Sequence, residues 1–240
     1  MIDPIERAFT YPYAAPDGSY LFANGRAEEY RPPSAMPERR FPIVGYGSNR
    51  APAQLARKFP EVGQQIPVEA AWIEGIDVVY AARLAGYGSI PATIAFCPGC
   101  RLPVKISWLS AAQLPAMHRS EGIGVAYDFG VLEVPVYGEH SGLLPRALVY
   151  VNRTGAYAPE GEPLALSEIA SEGRRWQSVG QRSMQALLAQ ALLPGGSPQG
   201  FIEANIASRD LRLAHSARMA ALAVAWHHPA FRVLSSKDKL

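Results

Sequence analysis

Short apolar segments separated by turn residues fill the chain between Phe41 and Val151, and they constrain the fold more than any other feature. The segments predicted as strands are 42–46, 68–73, 76–84, 92–97, 103–108, 131–136 and 147–151. Few long helical patterns intervene, which disfavours a doubly wound sheet. The spacing predicts an α+β fold, a mixed, curled or closed β-barrel of about six or seven strands with flanking helices.

Two short helices are predicted within this region. One follows Asn49, with Pro52 in its first turn and Leu55 on its buried face. The other begins at Ser110, whose spacing to Gln113 matches a capping box.

The last third of the chain is predicted to be helical. Ser178 caps a first helix that runs to about Leu193, and the Pro- and Gly-rich residues 194–198 end it. Ser208 caps a second helix. His215 lies on the apolar stripe of this second helix, which is more typical of a packed core residue than of a metal ligand.

Residues 1–40 form an N-terminal arm rich in proline, tyrosine and charge, without helical or strand periodicity. Its aromatic residues indicate that it packs on the rest of the chain or on a second copy, so a dimer contact stays open. The predicted organisation is the arm (1–40), a central domain (41–193) and a C-terminal helical extension (194–240). The extension ends in polar residues 235–239, which we expect to fray.

Composition and charge exclude several classes of protein. Lys and Arg number 23 against 21 Asp and Glu, a net charge of +2, so we expect no nucleic-acid partner. No apolar run approaches the ~18 residues of a membrane span, and residues 1–7 lack the apolar core of a secretory signal. The expectation is a cytoplasmic protein that makes no membrane contact.

The passage from Ile43 to Arg50, Ile-Val-Gly-Tyr-Gly-Ser-Asn-Arg, is the first candidate site. Gly47 allows a sharp turn, and Ser48 and Asn49 can cap the following helix, so backbone N–H groups converge on one spot and bind a carboxylate or oxyanion. Such residues more commonly form a capped strand-to-helix turn that has no functional role. A dinucleotide loop is disfavoured, because Arg50 stands where the third glycine is required.

Glu121, which precedes Gly122, is the second candidate. A glutamate at the end of a short helix is usually solvated. A catalytic role requires that its carboxylate be buried, where it can accept and return a proton.

Together these passages resemble the γ-glutamylcyclotransferase-like family over about residues 41–151. The matching features, in chain order, are the Tyr46-Gly47-Ser48-Asn49 loop, the small-residue strand 92–94, the Pro98-Gly99 turn, the Glu121-Gly122 pair and Tyr127 before the next strand.

The resemblance implies an enzyme in which the substrate's own α-amine attacks its γ-carbonyl, releasing 5-oxoproline and an amine. The loop Tyr46–Asn49 holds the γ-glutamyl part, Glu121 acts as general acid and base, and Tyr127 lines the site. It implies a small-molecule γ-glutamyl partner and neither metal nor cofactor.

The sequence also departs from the family pattern. Arg50 stands where the family generally has an apolar residue, and the acidic residue often found shortly before the Glu-Gly pair is missing. Arg50 is predicted to contribute to substrate binding. An added cation beside an anion-binding loop also motivates a second hypothesis, a non-catalytic small-molecule-binding or regulatory module. The two hypotheses differ over Glu121, which must face the loop for catalysis.

Cys97-Pro98-Gly99-Cys100 is the remaining motif. A thioredoxin-like pair opens a helix, whereas strand-like runs flank this one, and a zinc site needs about four ligands. We interpret the motif as a turn with two incidental thiols. Neither Gly-x-Ser-x-Gly nor His-Glu-x-x-His occurs, so the corresponding hydrolases have no support.

Overall fold

A computed structural model of the chain describes residues 3–32 and 39–234. The α-helices of the described residues are α1 (Pro4–Phe9), α2 (Pro52–Lys58), α3 (Leu114–Glu121), α4 (Gln181–Leu192), α5 (Pro198–Ala207) and α6 (Arg209–Ala220). A 3-10 turn, Ser48–Arg50, precedes α2. None of the helices in the described ranges is long and apolar enough to cross a membrane. The fraying expected at 235–239 lies outside the described residues.

Strands form most of the remaining structure. They are β1 (Tyr20–Ala23), β2 (Arg26–Glu29), β3 (Arg40–Gly45), β4 (Gln65–Tyr80), β5 (Ala92–Ser110), β6 (Tyr127–Leu132), β7 (Val136–Gly138), β8 (Gly142–Leu144), β9 (Ala147–Asn152), β10 (Ala156–Tyr157), β11 (Ala165–Leu166), β12 (Ser178–Val179), β13 (Ala223–Val224) and β14 (Phe231–Val233).

Twelve of these strands form one mixed sheet, while β10 pairs with β13 separately. The main path is β12-β11-β4-β5-β3-β9-β6-β14, and β1, β2, β7 and β8 attach beside β4. Central β3 is antiparallel to β5 and parallel to β9. The α+β class is therefore confirmed.

Of the predicted curled or closed barrel of about six or seven strands, the closed alternative is wrong. The path begins at β12 and ends at β14, and within the described ranges no pairing joins these two ends. Segments outside the predicted strand region extend the sheet instead. The arm adds the β1–β2 hairpin beside β4, and the C-terminal segment adds β14 beside β6.

The two longest strands each merge two predicted segments. β4 continues through Gly75, where its register with β5 shifts between Glu74 and Ile76. β5 continues through Cys97–Cys100, which form a bulge inside the strand instead of a turn between strands.

The arm has regular structure, contrary to the prediction, but it does pack on the rest of the chain. Its β1 pairs with β4, and its α1 lies against the C-terminal helices. Gln181 Nε2 donates to Ala8 O at 3.4 Å, and Arg182 pairs with Glu6 at 2.8 Å. The domain boundaries after residues 40 and 193 stay predictions.

Helix starts were predicted with mixed success. The Oγ of Ser208 accepts the N–H of Leu211 at 3.2 Å, which confirms this cap. Ser178 instead lies in β12, and α4 begins at Gln181 after Gly180, because this segment pairs with β11 first.

The predicted start of α3 at Ser110 is also too early. Ser110 ends β5, and the helix begins at Leu114. Half of the predicted capping box is nevertheless present, because Ser110 N–H donates to Gln113 Oε1 at 3.0 Å.

Apolar contacts set the positions of α2 and α3. Leu55 of α2, Met117 of α3 and Tyr150 of β9 belong to one buried cluster. Burying these side chains holds the two helices against the sheet. His215 is also buried, 3.0 Å from Asn205 Oδ1 and stacked on Phe201, which confirms it as a core residue.

Candidate functional site

A cleft of about 230 Å³ lies where the loop after β3 meets α2 and α3. The predicted residues that line it are Tyr46, Gly47, Ser48, Asn49, Glu121 and Tyr127. They come from the loop, the end of α3 and the start of β6, so the fold gathers positions that are far apart in sequence.

The loop turns sharply as it leaves β3. A Cβ on Gly45 would lie 3.1 Å from the Asn49 Cβ, so the glycine permits this close return of the chain. The 3-10 turn begins directly afterwards at Ser48. The first N–H groups of a helical turn have no partner within that turn, so they are available to an oxygen of a ligand.

Glu121 faces this loop. Its side chain is 10% exposed, and its Oε1 accepts a hydrogen bond from Asn49 Nδ2 at 2.7 Å. The ammonium of Lys58, 5% exposed, contacts the same Oε1. In the described ranges Oε2 makes no hydrogen bond, so one carboxylate oxygen is free for a ligand.

The tyrosines around the cleft have different roles. Tyr46 donates its hydroxyl hydrogen to Tyr150 O at 2.5 Å, so its side chain ties the loop to β9. Burial raises the pKa of Tyr46 well above its ordinary value. For Tyr127, burial is the main cause that raises the pKa to about 12, with Glu121 adding to it and Arg83 opposing it. Both hydroxyls are therefore protonated at neutral pH.

Arg50 does not line the cleft. Its carbonyl oxygen accepts the Tyr20 hydroxyl at 2.9 Å, and its guanidinium interacts electrostatically with Asp17 and Tyr20. Burial is the first cause of the lowered pKa of Arg50. The structure thus places this predicted binding residue on the side of the arm.

Several residues that line the cleft were not predicted from the sequence. Those with large polar or charged side chains include Tyr11, Lys58, Arg83 and Tyr87. Helical spacing could have indicated Lys58, because it follows the buried Leu55 by three positions and shares its side of α2. Tyr11 belongs to the arm, and its hydroxyl accepts the Ala92 N–H at 2.8 Å.

The Cys97–Cys100 motif lies outside the cleft, and the prediction of incidental thiols is wrong. The bulge in β5 brings the two Cα atoms to 5.4 Å, and the structure joins the sulfurs in a disulfide. Asp77 and the two cysteines form a group of possible metal-ligating side chains, with the Asp77 carboxylate within 4.8 Å of the sulfurs. Arg174 already binds both Asp77 oxygens, at 2.7 and 2.9 Å, which disfavours a metal ion there.

No protein-family model and no curated protein matches the chain. Among solved structures it is similar to a γ-glutamyl cyclotransferase, with 17% identity and a TM-score of 0.36, over 47% of this chain and 66% of that one. An uncharacterised protein from Homo sapiens shares 15% identity at a TM-score of 0.38, over 74% of this chain and 99% of that one. A protein from Arabidopsis thaliana shares 20% identity at 0.35, over 50% and 66%. At these TM-scores the function has to be argued from the cleft itself.

Proposed function

We propose that the cleft binds a γ-glutamyl amide and converts it to 5-oxoproline and a free amine, with Glu121 as general acid and base. One observation carries the proposal. The Glu121 carboxylate is largely buried against the Tyr46–Asn49 loop, and one of its oxygens has no hydrogen-bond partner in the described ranges.

The chemistry needs only this carboxylate and a folded substrate. Glu121 Oε2 accepts a proton from the substrate α-ammonium, and the resulting amine attacks the γ-carbonyl carbon. A carbon–nitrogen bond closes the five-membered ring, and the original amide bond breaks as Glu121 returns the proton to the leaving nitrogen. The ionised Glu121 then takes the second proton from the ring nitrogen and passes it to the freed amine, which leaves as an ammonium ion. Proton transfer of this kind contributes ~10²–10⁴-fold, and the intramolecular attack removes the cost of bringing two molecules together.

The other residues of the site position these groups. Asn49 and Lys58 fix the carboxylate through Oε1, which leaves Oε2 toward the ligand. The N–H groups at the start of the 3-10 turn suit the γ-glutamyl oxygens. The protonated hydroxyl of Tyr127 lines the same cleft and supplies a further donor.

A second candidate function is the non-catalytic binding module. The Lys58 contact favours it, because an ion-paired Glu121 can bind a ligand without exchanging a proton with it. Both functions place a small γ-glutamyl compound in the cleft, and they differ in turnover.

The proposal is tested by measuring, with mass spectrometry, the release of 5-oxoproline from a panel of γ-glutamyl amino acids and amines. We expect Glu121→Gln to lower kcat by at least ~10²-fold, because the amide neither accepts nor returns the proton. The exposed Glu133, which does not line the cleft, provides the control variant Glu133→Gln with unchanged kcat. Binding without turnover by the wild type would instead identify the binding module.

A further inference from the structure

Arg83 is a cation in the cleft for which the described residues supply no counterion. It lies just after β4, is half-buried and lines the cleft. In the part of the chain that the structure describes, its guanidinium makes no hydrogen bond or ion pair. A half-buried guanidinium has lost part of its hydration, so an anionic ligand group would stabilise it.

The cleft cannot neutralise Arg83 by itself. The only described carboxylate among its lining residues is Glu121, which Lys58 already contacts. Two cations and one carboxylate leave the lining with one excess positive charge. The unbound site therefore favours a ligand with an additional negative charge.

The arm brings a further cation to an aromatic residue of the same cleft. The guanidinium of Arg7, from α1, lies 4.2 Å from the ring centroid of Tyr87, which lines the cleft. On the α2 side, Arg57 lies 4.9 Å from the ring centroid of Tyr13 and donates to the cleft residue Gln54 at 3.2 Å. The rim of the cleft is therefore basic on both the arm side and the α2 side.

We infer that Arg83, with Tyr87 and the arm residue Arg7, forms a subsite for the amine half of the substrate and selects an amine half that bears a carboxylate. This inference rests on the proposed function, because it assigns the second half of the same γ-glutamyl amide. Arg83 is a specificity residue and takes no part in the proton transfers. Arg7 acts through Tyr87 and through long-range attraction.

Two substrates that differ in one group provide the test. γ-Glutamylglycine carries a terminal carboxylate, and γ-glutamylglycinamide carries a neutral carboxamide of nearly the same shape. We expect the wild type to prefer the acid by about 10- to 100-fold in kcat/KM, the effect typical of a hydrogen bond between charged groups. The preference should weaken as ionic strength rises, since the cleft is open to solvent.

Arg83→Gln should reduce this preference to less than about threefold by lowering kcat/KM for γ-glutamylglycine alone. Arg83→Lys should retain part of the preference. Arg175→Gln is the matched control, because Arg175 is exposed and does not line the cleft. If Arg83→Gln lowered kcat/KM equally for both substrates, Arg83 would instead bind the γ-glutamyl carboxylate, and the subsite would be overturned.

Failure of the subsite and failure of the reaction are distinguishable. Turnover of both substrates with equal kcat/KM by the wild type would overturn the subsite and leave the reaction standing. If no compound is turned over, calorimetric binding of the same pair replaces the kinetics. If the wild type then binds the acid more tightly than the amide, and Arg83→Gln does not, the subsite is supported although the reaction has failed. Equal affinities would overturn the subsite.

Discussion

Glu121 receives its two polar contacts on the same carboxylate oxygen, from Asn49 and from Lys58. The sequence predicts Glu121 and Asn49 because both belong to short motifs with a recognisable order. Lys58 carries no such signal, since it is separated from Glu121 by 63 positions and meets it only through the packing of α2 on α3. Partners that tertiary packing brings together are invisible to local patterns.

We expect Lys58→Met to lower the free energy of unfolding at pH 7 by about 3 kcal/mol, the usual cost of leaving one member of a buried ion pair alone. The two side chains are 5% and 10% exposed, so solvent replaces little of the lost contact. Urea unfolding of both proteins at pH 7 measures the difference.

The double variant Lys58→Met/Glu121→Gln is the control for charge. It carries neither charge, so it should be more stable at pH 7 than Lys58→Met. A double variant no more stable than Lys58→Met would contradict an electrostatic origin of the loss.

At the scale of single elements, the order of strand, loop and helix from β3 to α2 was predicted correctly because its residues act locally. The predicted capping by Ser48 and Asn49 is wrong, because both residues lie inside the 3-10 turn and α2 begins after Ala51 without a side-chain cap. Pro52 starts α2, and Leu55 is buried, as the pattern requires. The bulge at Cys97–Cys100 was not predicted, because Pro98-Gly99 has the same local preference for a turn between strands. Pairing of β5 with β4 on both sides of the bulge decides between the two outcomes.

β5 also carries a buried lysine that anchors the arm. Lys105 is 1% exposed, and its ammonium donates to Asp17 O at 2.5 Å and Gly18 O at 2.8 Å. Burial, followed by the positive charge of Arg50, lowers the pKa of Lys105 to about 8. Its contribution to stability must therefore depend on pH.

Because the pKa of Lys105 is about 8 in the folded protein and about 10.4 in an unfolded chain, the unfolded state binds more protons between these values. Stability therefore gains a contribution from Lys105 as pH rises through this window. Relative to Lys105→Met, we expect the wild type to gain on the order of 1 kcal/mol between pH 8 and 10, a value reduced for solvent screening. Parallel urea unfolding of both proteins across this range measures it, and a pH-independent difference would contradict it.

The whole molecule depends on the arm at several places that are distant in sequence. β1 joins the sheet beside β4, α1 lies against α4 and α5, and Tyr11 reaches the cleft. The sequence indicated packing from the aromatic residues of the arm, but it did not indicate where. That position follows from pairing of β1 with β4 and from contacts between the two ends of the chain.

Gly47 shows how closely the arm fits the loop. A Cβ at this position would lie 2.7 Å from the Tyr11 hydroxyl oxygen and 3.2 Å from the Ala92 Cβ, whereas the Tyr11 Cζ is 3.7 Å away. The hydroxyl oxygen is thus the main obstacle to a side chain at position 47. Removing that oxygen should make position 47 more tolerant of a side chain.

We expect Gly47→Ala to cost about 1–3 kcal/mol of unfolding free energy through overpacking, and Tyr11→Phe to cost about 1 kcal/mol through loss of the hydrogen bond to Ala92 N–H. In the Tyr11→Phe background, Gly47→Ala should cost at least about 0.5 kcal/mol less than in the wild type. Gly86→Ala is the matched control, because a Cβ there meets nothing within 4 Å. Chemical unfolding of the four members of the cycle measures the coupling. Additive losses would mean that the arm and the loop do not touch through these atoms.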